Sequence, residues 1–269
     1  MLGYGIKRIK RIAMASRDID QELVDASEEG NKDKVFELLA RGADARCQES
    51  AALRHAATNG HEECVRLLLP ASDPKAAESE ALRRAARNGH AECVRLLLPV
   101  SDPKAEESEA LRWAVENGHE ECVRLLLPAS DPKAAESEAL RRAAWNGHEE
   151  CVRLLLPMSD AKANGSEALR GAAGNGHAEC VKLLAALGSR HELKKALEEA
   201  MDEGESKIAA LLIEQEPGCV DGVDLSKCLA AAHKKGHADL AAFLSSIIEQ
   251  RELGVAANRA HSSLRPARI

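Results

Sequence analysis

A Gly-His pair recurs at Gly60-His61, Gly89-His90, Gly118-His119, Gly147-His148 and Gly176-His177, so one spacing of 29 residues holds through four consecutive intervals. Self-similarity at a period of about 20 to 50 residues marks one supersecondary unit copied along a solenoid. Each copy then buries its apolar face against its neighbours and not in a central core. The 269 residues are therefore read as one repeat array and not as two ordinary domains. Function in such an array belongs on a surface rather than in a deep pocket.

One copy reads SEALRRAARNGHAECVRLLLP from Ser79 to Pro99. Its apolar residues Leu82, Ala85 and Ala86, then Cys93, Val94, Leu96, Leu97 and Leu98, fall at helical spacing and predict two short helices. Asn88-Gly89 separates them because glycine accepts the left-handed conformation that closes a helix, and Glu92 then enters the first turn of the second, where negative charge suits the dipole. Pro99 ends that second helix, and the Ser-Asp-Pro-Lys segments beginning at Ser72, Ser101 and Ser130 follow as polar turns. With 45% hydrophobic but only 2% aromatic residues, the interior must be filled by Leu, Val, Ala and Cys, which makes each large aromatic conspicuous.

The pattern resembles the ankyrin repeat. Glu-Ala-Leu-Arg-x-Ala-Ala from Glu80 stands where that family has TPLHxAA, followed by the Gly-His pair and Val94-x-Leu-Leu-Leu, and Arg41-Gly42-Ala43-Asp44 closes an opening copy in the family manner. The resemblance implies an all-α, ankyrin-like solenoid of helix-turn-helix repeats. About eight units would span 19–252, with five near-identical copies within 49–190 and diverged copies at both ends, the last two centred on Gly204 and Gly236-His237. The family period is about 33 residues, and this one is 29. Only ten residues separate Leu69 from Glu80, so the β-hairpin finger of the family is expected to be shortened or absent and a partner to sit mainly on the inner helices. Replacing Thr-Pro by Glu-Ala removes the usual helix-opening device, a task that Ser79 and its equivalents are expected to take over as N-caps.

Three residue ladders invite chemistry and are read as scaffold. Cys64, Cys93, Cys122, Cys151 and Cys180 share the 29-residue spacing. Stacked equivalents lie about 8–10 Å apart, beyond the roughly 7 Å that a disulfide spans, so they are small buried hydrophobes. No Cys-x-x-Cys or clustered Cys/His spacing supports a metal site, and unpaired thiols suit a reducing, cytoplasmic compartment. The repeated histidines fit backbone satisfaction at one inter-helix turn better than a proton relay. Arg54, Arg83, Arg112, Arg141 and Arg170 form a basic track, but Glu80, Glu109, Glu138 and Glu167 lie three residues before four of them and predict neutralising i,i+3 pairs. Without an aromatic in every copy, and with about −14 left once ends of +4 (1–13) and +3 (251–269) are set apart from the net −7, nucleic acid is disfavoured. No nucleophile elbow, phosphate-binding loop or His-Glu-x-x-His occurs, so the chain reads as non-enzymatic, with no cofactor, no metal and no small-molecule substrate.

Two columns change while the scaffold around them does not. The site after the ladder arginine reads His55, Arg84, Trp113, Arg142 and Gly171, and the site one turn later reads Thr58, Arg87, Glu116, Trp145 and Gly174. Both tryptophans of the chain lie in these columns, and the resemblance implies that this face lines the concave groove. Trp and Arg concentrate at interface hot spots, so Arg84, Arg87, Trp113, Glu116, Arg142 and Trp145 are the candidate partner-binding residues; the structural alternative is that the tryptophans pack between neighbouring first helices.

No stretch approaches the roughly 18 apolar residues of a membrane-spanning helix. Residues 1–18 form a basic leader, with Lys7, Arg8, Lys10 and Arg11 among Ile6, Ile9 and Ile12. It is either a solvated, flexible segment or a weakly amphipathic targeting helix, and residues 253–269 are expected to be a flexible basic tail. Arrays of near-identical shortened units resemble bacterial ones, which implies as roles a host-directed effector, delivered into a host cell, or an immunity or anti-defence protein that blocks an enzyme by binding it. The competing reading is a structural spacer or scaffold whose terminal segments do the targeting.

Overall fold

The computed structural model describes residues 18–263, with side chains described as far as Leu253; the basic leader before residue 18 and the last six residues lie outside the described residues. Every element there is helical, and no strand forms among the described residues. In chain order they are α1 (18–28), α2 (Lys32–Ala40), α3 (Cys47–Thr58), α4 (Glu62–Leu68), α5 (Ala76–Arg87), α6 (Ala91–Leu97), α7 (Ala105–Glu116), α8 (Glu120–Leu126), α9 (Ala134–Trp145), α10 (Glu149–Leu155), α11 (Ala163–Gly174), α12 (Ala178–Ala185), α13 (Arg190–Glu203), α14 (Ser206–Gln215), a 3-10 turn (Pro217–Val220), α15 (Leu225–Lys235) and α16 (Ala238–Ser263). Helix α16 continues through residue 252, where the array was expected to end, as far as Ser263.

Two compact units result, Met1–Ala143 with Arg153–Asp160 and Ala144–Val152 with Ala161–Ile269. In the first, α3, α5 and α7 stack on one another, as do α4, α6 and α8; in the second, α11 packs on α12 and α13, and α15 on α16. The interior is aliphatic, as the composition requires: Leu82, Ala85 and Ala86 of α5 and Cys93, Val94 and Leu97 of α6 are all fully buried. Each buried leucine here holds about 2–5 kcal/mol against truncation to alanine.

The shortened finger has become a tight left-handed turn. Ala77, Glu78 and Ser79 have φ/ψ of 48/52, 55/45 and 58/38 degrees, and the same three positions repeat at Gln48–Ser50, Glu106–Ser108, Ala135–Ser137 and Asn164–Ser166. For residues with a Cβ this costs about 1–2 kcal/mol each, so something must hold the turn. The ladder arginine does: Arg83 Nε donates to the Glu78 carbonyl at 3.0 Å and Nη2 to that of Ala77 at 2.9 Å. Arg54 repeats this on Glu49 and Gln48. The right-handed part of α5 therefore starts only at Glu80, one turn after the polar loop.

Two expectations change here. Ser79 does not cap its own helix; it is buried, and its hydroxyl accepts the backbone N–H of Asp102 in the next copy at 2.8 Å. Glu80, Glu109 and Glu138 are taken by the ladder arginine of the preceding copy, where i,i+3 pairs within one helix were expected. Arg83 meets Glu109, Arg112 meets Glu138, and Arg54 Nη1 meets Glu80 Oε2 at 2.5 Å, each partner lying 26 residues further on in the following copy. The stripe is neutralised as expected, but by bonds that join copies.

The Gly-His ladder joins copies too. His90 Nε2 donates to the Thr58 carbonyl at 2.9 Å, reaching back into the preceding copy and not to local backbone, and His119 does the same to Arg87. Gly60, at φ +75°, lies beneath that ring: a Cβ there would come within 2.5 Å of His90 Nδ1. Glycine and histidine recur together because one makes room for the other across each junction.

Candidate protein-interaction face

The solvent face of the first helices carries the two variable columns, and their members turn out to be complementary. The junctions repeat the 26-residue offset of the ion-pair ladder. Across the α5–α7 junction, Arg87 places its guanidinium carbon 5.1 Å from the Trp113 ring centroid, with Arg83 at 5.8 Å on the same ring. Across the next, Arg142 pairs with Glu116, and also with Glu138 of its own helix at 2.5 Å. In the second unit Trp145 lies over Gly171, where an added Cβ would meet Trp145 Cε3 at 3.0 Å. A cation on an indole, an ion pair and an indole on a glycine are three solutions to one packing problem. Variation in these columns is therefore not, by itself, a sign of freedom from the scaffold.

Exposure separates the candidates. Trp113 is half-buried under its two arginines, Glu116 and Arg142 are half-buried in their pair, and Arg84 is tied to Glu80 at 2.5 Å, while Arg87 is exposed and Trp145 is 57% exposed. The first unit thus brings Arg84, Arg87, Trp113, Glu116 and Arg142 onto one run of stacked helices; Trp145 belongs to the second unit, beside Gly171. His177 reaches the Trp145 carbonyl at 2.8 Å, fixing the helix end from which that indole projects.

The electrostatics follow the pairing. Burial alone would raise the Glu80 carboxyl, but hydrogen bonds from Arg84 and Arg54 outweigh it and hold it below the ordinary carboxylate range. Burial lowers Arg142, with the charge of Arg112 acting in the same direction. Burial pushes the Cys93 thiol up to about 12 and those of Cys122 and Cys180 to about 11, so these groups are inert thiols and not nucleophiles. None of the eight cysteines forms a disulfide. Among the described residues no group of three His, Cys, Asp or Glu side chains converges on a metal position. A hollow of about 490 Å3 in the second unit is lined by Lys182, Lys207, Ala210, Leu211, Glu214 and Gln215, without a serine, cysteine or histidine among them.

Sequence reasoning missed the left-handed turn and the lateral pairing. A signal for the second was present, since Arg87 with Trp113, Glu116 with Arg142 and Trp145 with Gly171 all lie 26 residues apart in the same two columns.

A model of ankyrin repeats (3 copies) matches residues 23–106, 82–165 and 140–225. Among solved structures, the chain is similar to the human ASB11 ankyrin repeat domain, with a TM-score of 0.63 and 24% identity, covering 72% of this chain and 97% of that one; that level of identity speaks for the fold alone. No curated protein sequence matches. No helix among the described residues is long and apolar enough to cross a membrane.

Proposed function

This chain belongs to the ankyrin repeat family, whose members are generally protein–protein interaction modules and typically non-catalytic, and we propose that it holds a protein partner on the first-helix face. Arg84, Arg87, Trp113, Glu116 and Arg142 form the patch of the first unit, and Trp145 is the anchor of the second. The observation that carries this reading is the exposure of Trp145. A scaffold role is complete once the indole covers Gly171, yet 57% of it remains open to solvent on a face whose other large groups are paired. The face is taken to be the concave one. The likeness to bacterial arrays supports the finer role of an effector, immunity or anti-defence protein that blocks an enzyme by binding it, and eight cysteines without a disulfide support a cytoplasmic setting.

Affinity purification with the intact chain, a Trp145→Ala variant, a Trp113→Ala variant and a chain lacking residues 1–13 tests the reading. Partner capture is expected to be lost in the Trp145→Ala variant, reduced in the Trp113→Ala variant and kept without the leader. Capture that survives both tryptophan changes and disappears with the leader would establish the spacer reading instead.

A further inference from the structure

The arginines of α3, α5 and α7 are Arg54, Arg83, Arg84, Arg87 and Arg112, and all but one have a carboxylate. The exception is Arg87. It is exposed, and among the described residues its charge meets only the face of Trp113, at 5.1 Å. Its position is well fixed. It lies in the last turn of α5, where a cation suits the carbonyl end of the helix, and its own carbonyl is anchored by His119. Stacking on an indole uses the flat face of a guanidinium and leaves its N–H edge free for two parallel bonds to a carboxylate. The immediate surroundings favour an anion as well. Arg54 and Arg84 share Glu80, and Arg83 holds Glu109, so these two carboxylates are already taken up in pairs.

We propose that the Arg87–Trp113 stack is the docking point for an acidic segment of a protein partner. An Asp or Glu carboxylate is taken by the free edge of Arg87, and an adjoining apolar side chain lies along the exposed part of Trp113. The proposal rests on the protein-binding reading above and gives the chemistry of what binds. A peptide is favoured over a nucleic acid by the range of the forces. The chain is acidic, with a net charge of −7, and a long polyanion would feel that whole field. A single carboxylate seated on Arg87 feels chiefly charges within about 8–10 Å, the screening length at physiological salt, and the guanidinium it meets first has no carboxylate of its own.

The probes are a fluorescein-labelled peptide alternating Glu and Leu, its counterpart with Gln for Glu, and a single-stranded oligo-dT of equal length, each titrated by fluorescence anisotropy against the full chain. The Glu-Leu peptide is expected to bind, more weakly as salt rises, and the other two to bind at least about tenfold more weakly. Arg87→Ala is expected to weaken the Glu-Leu peptide about tenfold or more, and Arg87→Lys to recover only part, because an ammonium lacks the fork. Arg66→Ala, on α4, is the control and is expected to change nothing. Unchanged far-ultraviolet circular dichroism of the Arg87→Ala chain separates loss of binding from loss of fold. Equal binding of the Glu and Gln peptides, tighter binding of the oligonucleotide, or indifference to Arg87→Ala would each overturn the proposal. If Trp145→Ala releases a captured partner that Arg87→Ala retains, the protein-binding reading stands and this inference alone fails.

Discussion

The near-identical copies of the first unit and the diverged helix pair α13–α14 of the second begin their first helices by different physics. In the first unit the chain passes Asp102-Pro103-Lys104, makes a left-handed turn at Glu106–Ser108, and only then winds right-handed. Arg112, one turn on, holds that turn through the Glu106 carbonyl, and the Ser108 hydroxyl takes the Asp131 N–H of the next copy at 2.8 Å. In the second unit α11 keeps the left-handed turn at Asn164–Ser166, but Ser189 stands where the earlier copies have the loop aspartate, and no left-handed turn precedes α13. Helix α13 starts at Arg190 with a capping box, in which Ser189 accepts from the Glu192 N–H and Glu192 accepts from that of Ser189. One device draws on neighbouring copies and works only inside an array. The other is local and serves a helix that has left the repeat pattern.

Removing the clamp should therefore cost most. Arg83 and Glu109 are 15% and 21% exposed, and Arg83 also serves two carbonyls of a turn that L-residues otherwise avoid. Arg83→Ala is expected to destabilise the first unit by about 3 kcal/mol, as for one partner removed from a buried pair. Arg83→Lys should recover little, since a point charge does not reach three acceptors in different directions. Urea unfolding followed by circular dichroism reads both; a loss under about 1 kcal/mol would mean that the turn holds itself.

Glycines at helix ends sharpen the same contrast. Gly89 (φ +77°) has His119 above it, with Nδ1 2.6 Å from an added Cβ, whereas Gly236 (φ +80°) has nothing within 4 Å. Gly236→Ala should cost about 1–2 kcal/mol, the conformational part alone, and Gly89→Ala distinctly more. Adding His119→Ala to Gly89→Ala should return only that excess, which a double-mutant cycle isolates.

Much of this was legible in the residues, and the limit of legibility has a physical cause. The spacing of Leu82, Ala85, Cys93, Val94 and Leu97 gave the helix pairs, because burial at 3.6-residue periodicity is a local property. The ten residues between Leu69 and Glu80 showed that a finger would not fit. They did not show that Ala77, Glu78 and Ser79 would turn left-handed, because nothing in an Ala-Glu-Ser sequence asks for it; an arginine four to six residues later does. The partners of Arg83, Ser79 and His90 lie 23 to 32 residues away, so a reading of one copy at a time assigned them to their own helices. The candidate face was found by its variation, yet its pairing needed positions 26 apart to be read together.

The capping box is the next smaller device. Ser189→Ala should cost about 1 kcal/mol. Its partner adds a pH signature: the hydrogen bond from the Ser189 N–H holds the Glu192 carboxyl down at about 2, against an ordinary value near 4.3. A carboxyl lowered in the folded state contributes stability that is present above about pH 5 and is lost as the pH falls towards about 2. Glu192→Gln should flatten that part of the acid-unfolding curve; an unchanged slope would place the acid sensitivity elsewhere, for instance on Glu80, which its arginines also hold low.

The smallest effect lies where the two units handle the variable columns differently. The Arg87–Trp113 and Glu116–Arg142 junctions of the first unit fill the space between helices with two long side chains, while Trp145 fills its own by lying over a glycine. Glycine inside α11 sacrifices about 1 kcal/mol of helix propensity, so Gly171→Ala gains that amount and must push the Trp145 ring outward by a few tenths of an ångström from its 3.0 Å approach. The ring is 57% exposed and free to give way, so the net change should be within about 0.5 kcal/mol of zero. In a Trp145→Ala background nothing opposes the gain, and the same change should stabilise by close to 1 kcal/mol. Identical shifts in the two backgrounds would mean that the indole does not rest on Gly171, and that the absence of a side chain at 171 owes nothing to the tryptophan one copy before it.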